Sequence, residues 1–212
     1  NTGNSLEQAA FAVLKRTMDY HGSVIFGGDG YSSAWHRMAV EERGLENLRT
    51  CADALPVLQR QEVRELFERQ GVLSPVELES RFEVYAEQYV LAIEVEAKLA
   101  LQIARTQVYP AAVRYLGELG KALQEQQAMG LHPNLNLRNQ LGELLEQLNN
   151  GCDDLEQGLH SAPHDTEAHM RHCADTLMPL IGTLRAAVDG LEALVDNDLW
   201  PLPSYQEMLF VR

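Results

Sequence analysis

The chain has 212 residues, 31 acidic against 17 basic, and its formal net charge of −14 repels phosphate backbones, which argues against nucleic acid as a partner. A composition that is 45% apolar but only 7% aromatic favours helices over sheet in a globular protein. No apolar run approaches the ~20 residues that a membrane span needs, so no membrane partner is expected.

The opening "NTGNSLEQ" has no initiator Met and reads as a processed or excised piece of a longer chain. Asn4 or Ser5 can cap a helix from about Leu6 to Tyr20, with Leu6, Ala10, Val13 and Leu14 on one face and Gly22 as its end. The apolar run Ser23–Phe26 then meets the glycines Gly27, Gly28 and Gly30, and at most one short strand is expected there. A helix from about Ala34 to Arg43 stops at Gly44, the segment Leu45–Val57 reads as irregular, and "RQEVRELFERQG" is a further short helix ending at Gly71.

Ser74, Pro75 and Glu77 combine a capping box with proline at the first helical position. No breaker follows until Pro110, which removes one backbone bond and kinks the rod without ending it. A helix of about 75–129 spans roughly 80 Å at ~1.5 Å per residue. Leu78, Phe82, Tyr85, Tyr89, Ala92, Leu99, Ile103 and Val113 fit a 4-3 seam that passes through Glu96, so Glu96 either pairs with a cation across the bundle or marks a shift of the seam. Two more amphipathic helices are expected, about 137–160 and 165–195, the last capped by Asp165 and interrupted by Pro179. The fold class is therefore mainly all-α, an elongated antiparallel bundle of three long helices with a smaller N-terminal helical region. The expected division is 1–73 as a linking region, 74–196 as the bundle and 197–212 as an apolar tail with a short helix that should dock on something.

Sites of chemistry are scarce. The stretch "SVIFGGDGYSSAW" places a glycine loop between an apolar run and a helix start, as phosphate cradles do. It lacks the lysine of a P-loop, and Ser33 stands where a dinucleotide fingerprint needs its third glycine. It reads as a turn. His160, His164, His169 and His172 cluster beside Cys173, a donor set that Zn²⁺ favours, but at a hairpin end where polar residues normally meet water, and with no HExxH or CxxC. Cys152 and Cys173 lie at similar heights on the two arms of that hairpin and are expected to be near each other. The three cysteines, with Cys51, lack CxxC spacing and read as reduced cytoplasmic thiols. The carboxylates Glu77, Glu79, Glu83, Glu87, Glu94 and Glu96 form no paired ExxH set for a di-metal bundle.

Four segments together resemble type III glutamine synthetases. "VIFGGDGYSSAWHRMAVEERGLENLRTCADALPVL" is similar to the stretch that follows that family's catalytic core, with its "GDGYS-x-x-W", "RGL-x-NL-x-T" and "DALP" steps. The long-helix patterns beginning at Glu79, Glu87, Val95 and Gln107 resemble its "ESR-x-E", "E-x-Y", "(I/V)EA" and "Q-x-x-PA". The ending "DNDLWPLPSYQEMLF" is similar to its C-terminus, whereas about 122–187 matches only in character. The resemblance implies the C-terminal helical domain of an enzyme that makes glutamine from glutamate, ammonia and ATP with Mg²⁺ or Mn²⁺. The implied partners are its own catalytic domain and the neighbouring subunits of a cytoplasmic homo-oligomeric ring. The family's ATP, metal and glutamate motifs precede this segment, so no catalytic, cofactor-binding or metal residue is assigned, and the piece should be inactive alone. The alternative is a free-standing acidic helical adaptor that binds a partner through its apolar seam and tail; a small enzyme using the glycine loop for a phosphate is a third reading.

Overall fold

The structure, a computed structural model, describes residues 6–22, 25, 27–203 and 205–209. Among them every regular element is helical and there is no strand; the strand expected over Ser23–Phe26 falls largely outside the described residues. The chain divides into two compact units, Asn1–Leu48 and Arg49–Arg212.

The first unit holds α1 (Leu6–His21) and α2 (Ser33–Glu41). The Ser32 hydroxyl caps α2 by accepting from the Trp35 N–H at 3.2 Å. Gly44, at φ 64°, takes the left-handed conformation that ends the helix region, as its position predicts.

The second unit opens with α3 (Cys51–Ala54), a 3-10 turn (Leu55–Gln59) and α4 (Gln61–Arg69). Part of the stretch read as irregular is thus helical. Thr50 and Asp53 form a capping box: the Thr50 hydroxyl accepts from the Asp53 N–H at 3.1 Å, and the Asp53 carboxylate accepts from the Thr50 N–H at 3.2 Å. Pro56 sits at the start of the 3-10 turn, where a missing N–H costs nothing.

The long arm begins at the expected box, with the Glu77 carboxylate accepting from the Ser74 N–H at 2.8 Å. It runs without interruption through α5 (Pro75–Ile103), a π turn (Ala104–Val108) and α6 (Tyr109–Ala128). Next come α7 (Asn136–His160), α8 (Thr166–His172), a second π turn (Cys173–Leu177), α9 (Met178–Glu192) and the short α10 (Tyr205–Leu209). The three arms pack on one another as a bundle, with α7 against α9 as the principal contact and α5 and α6 against α7. Leu199, Trp200 and Leu202 of the tail dock on the main core.

Both π turns have the same cause. Pro110 and Pro179 have no N–H to donate, and their rings crowd the carbonyl four residues back. In each case the residue before the proline donates five residues back instead, Tyr109 to the Ala104 carbonyl and Met178 to that of Cys173. The wider turn admits the ring and the helix continues.

The seam of the long arm corrects the 4-3 reading. From Leu78 to Val108 the buried side chains are Leu78, Phe82, Ala86, Ile93, Ala97, Ala104 and Val108. Phe82, Ile93 and Ala104 lie eleven residues apart, and so do Ala86, Ala97 and Val108. This is a 4-3-4 repeat with 3.67 residues per turn, close to the 3.6 of a straight helix, whereas a strict heptad drifts about 20° every seven residues. Tyr85 and Leu99 accordingly face water at 43% and 51% exposure, and Glu96 is exposed, which resolves its misfit as a seam shift and not an ion pair.

Opposite that strip, Leu141, Leu148 and Leu155 of α7 and Leu177, Leu184 and Leu191 of the third arm are essentially completely buried. Burying each contributes ~1.5–3 kcal/mol. Glycines permit the approach of α7 to α9. A Cβ at Gly190 would meet the Leu144 side chain at 2.8 Å, and one at Gly158 would meet Leu180 and Leu177 at 3.0 and 3.1 Å.

The corrected seam makes a direct prediction for urea unfolding. Ile93→Ala should cost about 2–5 kcal/mol, as a buried aliphatic truncation does. Leu99→Ala should cost less than about 1 kcal/mol. Equal losses, or the reverse order, would restore the heptad seam.

Candidate functional site

The glycine loop is a helix entry. Asp29 organises it: its carboxylate accepts from the Tyr31 N–H at 2.9 Å, and its backbone carbonyl accepts from the Ser32 hydroxyl at 2.8 Å, which orients Ser32 to cap α2. No described heavy atom lies within 4 Å of where a Cβ would stand at Gly27 or Gly30. The side chain with most chemical potential in the loop thus acts in a turn.

The four histidines do not converge. His160 donates from Nδ1 to the Glu156 carbonyl at 2.7 Å on its own helix, and His172 donates from Nε2 across the hairpin to the Gly158 carbonyl at 2.8 Å. His169 points to the long arm and donates from Nε2 to the Glu94 carboxylate at 3.0 Å. His164 is exposed in the α7–α8 connection, next to Asp165, whose carboxylate caps α8 through the Ala168 N–H at 2.9 Å. Among the described residues, no group of three or more His, Cys, Asp or Glu side chains is placed to hold a metal ion.

Of the carboxylates on the long arm, Glu94 is the one drawn into a cross-bundle contact, held by Lys98 at 2.7 Å as well as by His169. Glu77 caps its own helix and Glu79 pairs with Arg64 of α4 at 3.5 Å, while Glu83 and Glu87 are exposed.

Cys152 and Cys173 join the same core cluster as free thiols, and Cys51 is exposed at the start of α3. Burial raises both core thiols, Cys173 to about 11, so neither offers a thiolate nucleophile near neutrality.

Two ion pairs that the sequence reading missed join separate helical elements. Arg105, in the first π turn, forms a fork with both Glu156 oxygens at 2.8 Å and reaches Asp153 at 3.0 Å. These bonds hold the guanidinium firmly charged and the Glu156 carboxyl below its usual range. Arg171 of α8 donates to Asp53, joining α8 to the capping box of α3. The one sequence signal was a lone arginine in the apolar run "LALQIARTQVYP".

The second unit also has an apolar groove of about 500 Å³ between α5 and α9, lined by Leu99, Ile103, Ile181 and Val188, with Leu202 and Met208 of the tail at its edge. Its charged neighbours include Arg185 and Asp189, which lie 3.5 Å apart along one helix. Taken together, these titratable groups act as clamps between and along helices.

The Glu94 clamp has a pH signature. The Lys98 hydrogen bond first, and then the charges of Lys98 and His169, hold its carboxyl below the usual carboxylate range. The folded chain therefore takes up that proton at lower pH than the unfolded chain. The stabilisation is present above about pH 4.3 and disappears as the pH falls further. Glu94→Gln should lower the thermal midpoint at pH 7 by about 2 °C and flatten the acid limb below pH ~4.3. An acid limb parallel to that of the wild type would show the clamp to be silent. Thiol titration of the native chain should label Cys51 within minutes, and Cys152 and Cys173 only on unfolding.

The family model for the glutamine synthetase C-terminal domain matches residues 9–127. The type-3 glutamine synthetase of Dictyostelium discoideum is 31% identical over 221 aligned residues, covering 98% of this chain and 30% of the relative. The glutamine synthetase of Bacteroides fragilis is 26% identical across 99% of this chain and 30% of its own length, and that of Butyrivibrio fibrisolvens 27% across 99% and 31%. The chain thus spans less than a third of the length of these relatives. It belongs to the glutamine synthetase C-terminal domain family.

Proposed function

We propose that this chain is the helical C-terminal domain of a type III glutamine synthetase whose catalytic core lies upstream in the full-length protein. In that reading the complete enzyme is cytoplasmic and joins ammonia to glutamate with ATP and a divalent metal. The domain itself is inactive alone and shapes a homo-oligomeric ring through its long arms. The observation that carries the proposal is the coverage: relatives align with 98–99% of this chain yet are about three times as long.

The chemistry of the side chains supports the same division of labour. A divalent metal of this kind wants several carboxylate and imidazole donors facing one point. Here Glu94, His169 and His172 are each engaged by protein partners, and no donor group of three is assembled among the described residues. These residues do not fit the metal. What they do is fix packing between the arms, the longest of which, α5 with the π turn and α6, rises about 80 Å at ~1.5 Å per residue.

ATP hydrolysis by the full-length protein should require both glutamate and ammonia, and the 212-residue chain should give no turnover above a blank. Turnover by the 212-residue chain would overturn the proposal. Removing residues 75–195 from the full-length protein should lower the mass of its assembly in sedimentation. An assembly that loses only the mass of the deleted residues would remove the oligomer-shaping role.

A further inference from the structure

We infer that the apolar face of α1 is a docking surface for the polypeptide that immediately precedes this chain in the full-length protein. The inference rests on the reading just given. Every residue of α1 is exposed, including Leu6 at 87%, Phe11 at 74% and Leu14 at 62%. Single exposed apolar residues are ordinary on a protein surface, but a whole face is not. At helical spacing Leu6, Ala10, Val13, Leu14 and Met18 fall on one broad side, and Gln8, Lys15 and Asp19 on the other. A 16-residue helix is marginal in water, and in folded proteins its stability comes from packing an amphipathic face. The sequence of α1 specifies such a face, and its described surroundings bury none of it.

Three observations select the occupant. The matched family describes a C-terminal domain, and its match begins at residue 9, inside α1, so the additional length of the relatives is to be sought upstream. That polypeptide would join the chain five residues before α1 begins, and a tether so short gives an effective concentration that no free partner matches. A membrane surface is the wrong chemistry: Lys15 and Arg16 are balanced by Glu7 and Asp19, whereas interfacial helices carry a cationic polar face, and the chain as a whole is strongly anionic.

Hydrogen–deuterium exchange of the full-length protein and of the 212-residue chain, followed on α1 peptides, tests this. Amides of α1 should exchange about tenfold or more slowly in the full-length protein. Val13→Glu with Leu14→Glu should abolish that difference and leave α7 amides unchanged, and Asp19→Lys on the opposite side should keep it. Equal exchange in the two proteins overturns the inference. So does slow exchange in the 212-residue chain, which means a second copy if it grows with concentration and this chain itself if it does not. Activity is read separately. A full-length protein with protected α1 and no glutamate- and ammonia-dependent turnover keeps the docking surface and loses the functional reading. Turnover with unprotected α1 does the opposite.

Discussion

The arrangement of the second unit depends on one strip of small side chains. Ala86, Ala97, Ala104, Ala111 and Ala112 are fully or almost fully buried along the inner side of the long arm. They leave room for the leucines of α7 and of the third arm to reach its backbone surface. The glycines at 158 and 190 do the same where α7 meets α9, each at a cost of ~1 kcal/mol in helix propensity that is recovered only if the approach is real. Dispersion falls off steeply with separation, so a gap of even half an ångström along such a strip would forfeit much of the contact. Close approach is therefore what the other features serve, from the capping box at Ser74 to the docking of Trp200.

The prolines show how strictly that condition is kept. A proline inside an arm would ordinarily kink it or end it. Here each is preceded by a π turn, and a π turn inserts one extra residue, so the faces of the helix on its two sides are offset. The buried strip nevertheless passes through, from Ala104 to Val108 and on to Ala112 and Leu123. Arg105, within that turn, forks onto Glu156 of α7. Two of the long-range ion pairs, Arg105 with Glu156 and Arg171 with Asp53, tie a π turn and a short helix to their neighbours, near the points where backbone regularity is locally given up or barely begun.

What was legible in the sequence was local. Ser74-Pro75 with Glu77, Gly44, Gly71 and Asp165 each act within a few residues of their own position, and each marks the boundary that its chemistry predicts. The seam was less legible because 4-3 and 4-3-4 repeats coincide from Leu78 to Phe82 and diverge only after it. Glu96, falling on the wrong repeat, was the residue that carried the discrepancy. The Thr50–Asp53 box lies within the stretch read as irregular, where Pro56 reads as a breaker, although a proline at the start of a 3-10 turn is no obstacle. The histidine cluster was a cluster only along the chain: His169 and His172, three apart, reach different helices because the hairpin brings α5 to one side of α8 and α7 to the other. Pairs such as Arg171 and Asp53, 118 residues apart, depend on the register of packed arms, which no local pattern specifies.

The distribution of charge links this packing to what the unit can do. No charged or polar residue is buried among the described residues, so the core is specified by shape alone, through Leu, Ala and Gly at fixed spacings. A core of that kind can be rigid over a long distance. The carboxylates and cations sit where the arms meet solvent, in clamps whose Coulombic worth is modest in water. Chemical capacity and structural reach are therefore separated within the molecule. The buried side chains set length and stiffness, the surface pairs set register, and exposed apolar side chains gather on α1 and in the groove beside Leu202 and Met208. Surfaces of that composition recognise by complementary shape.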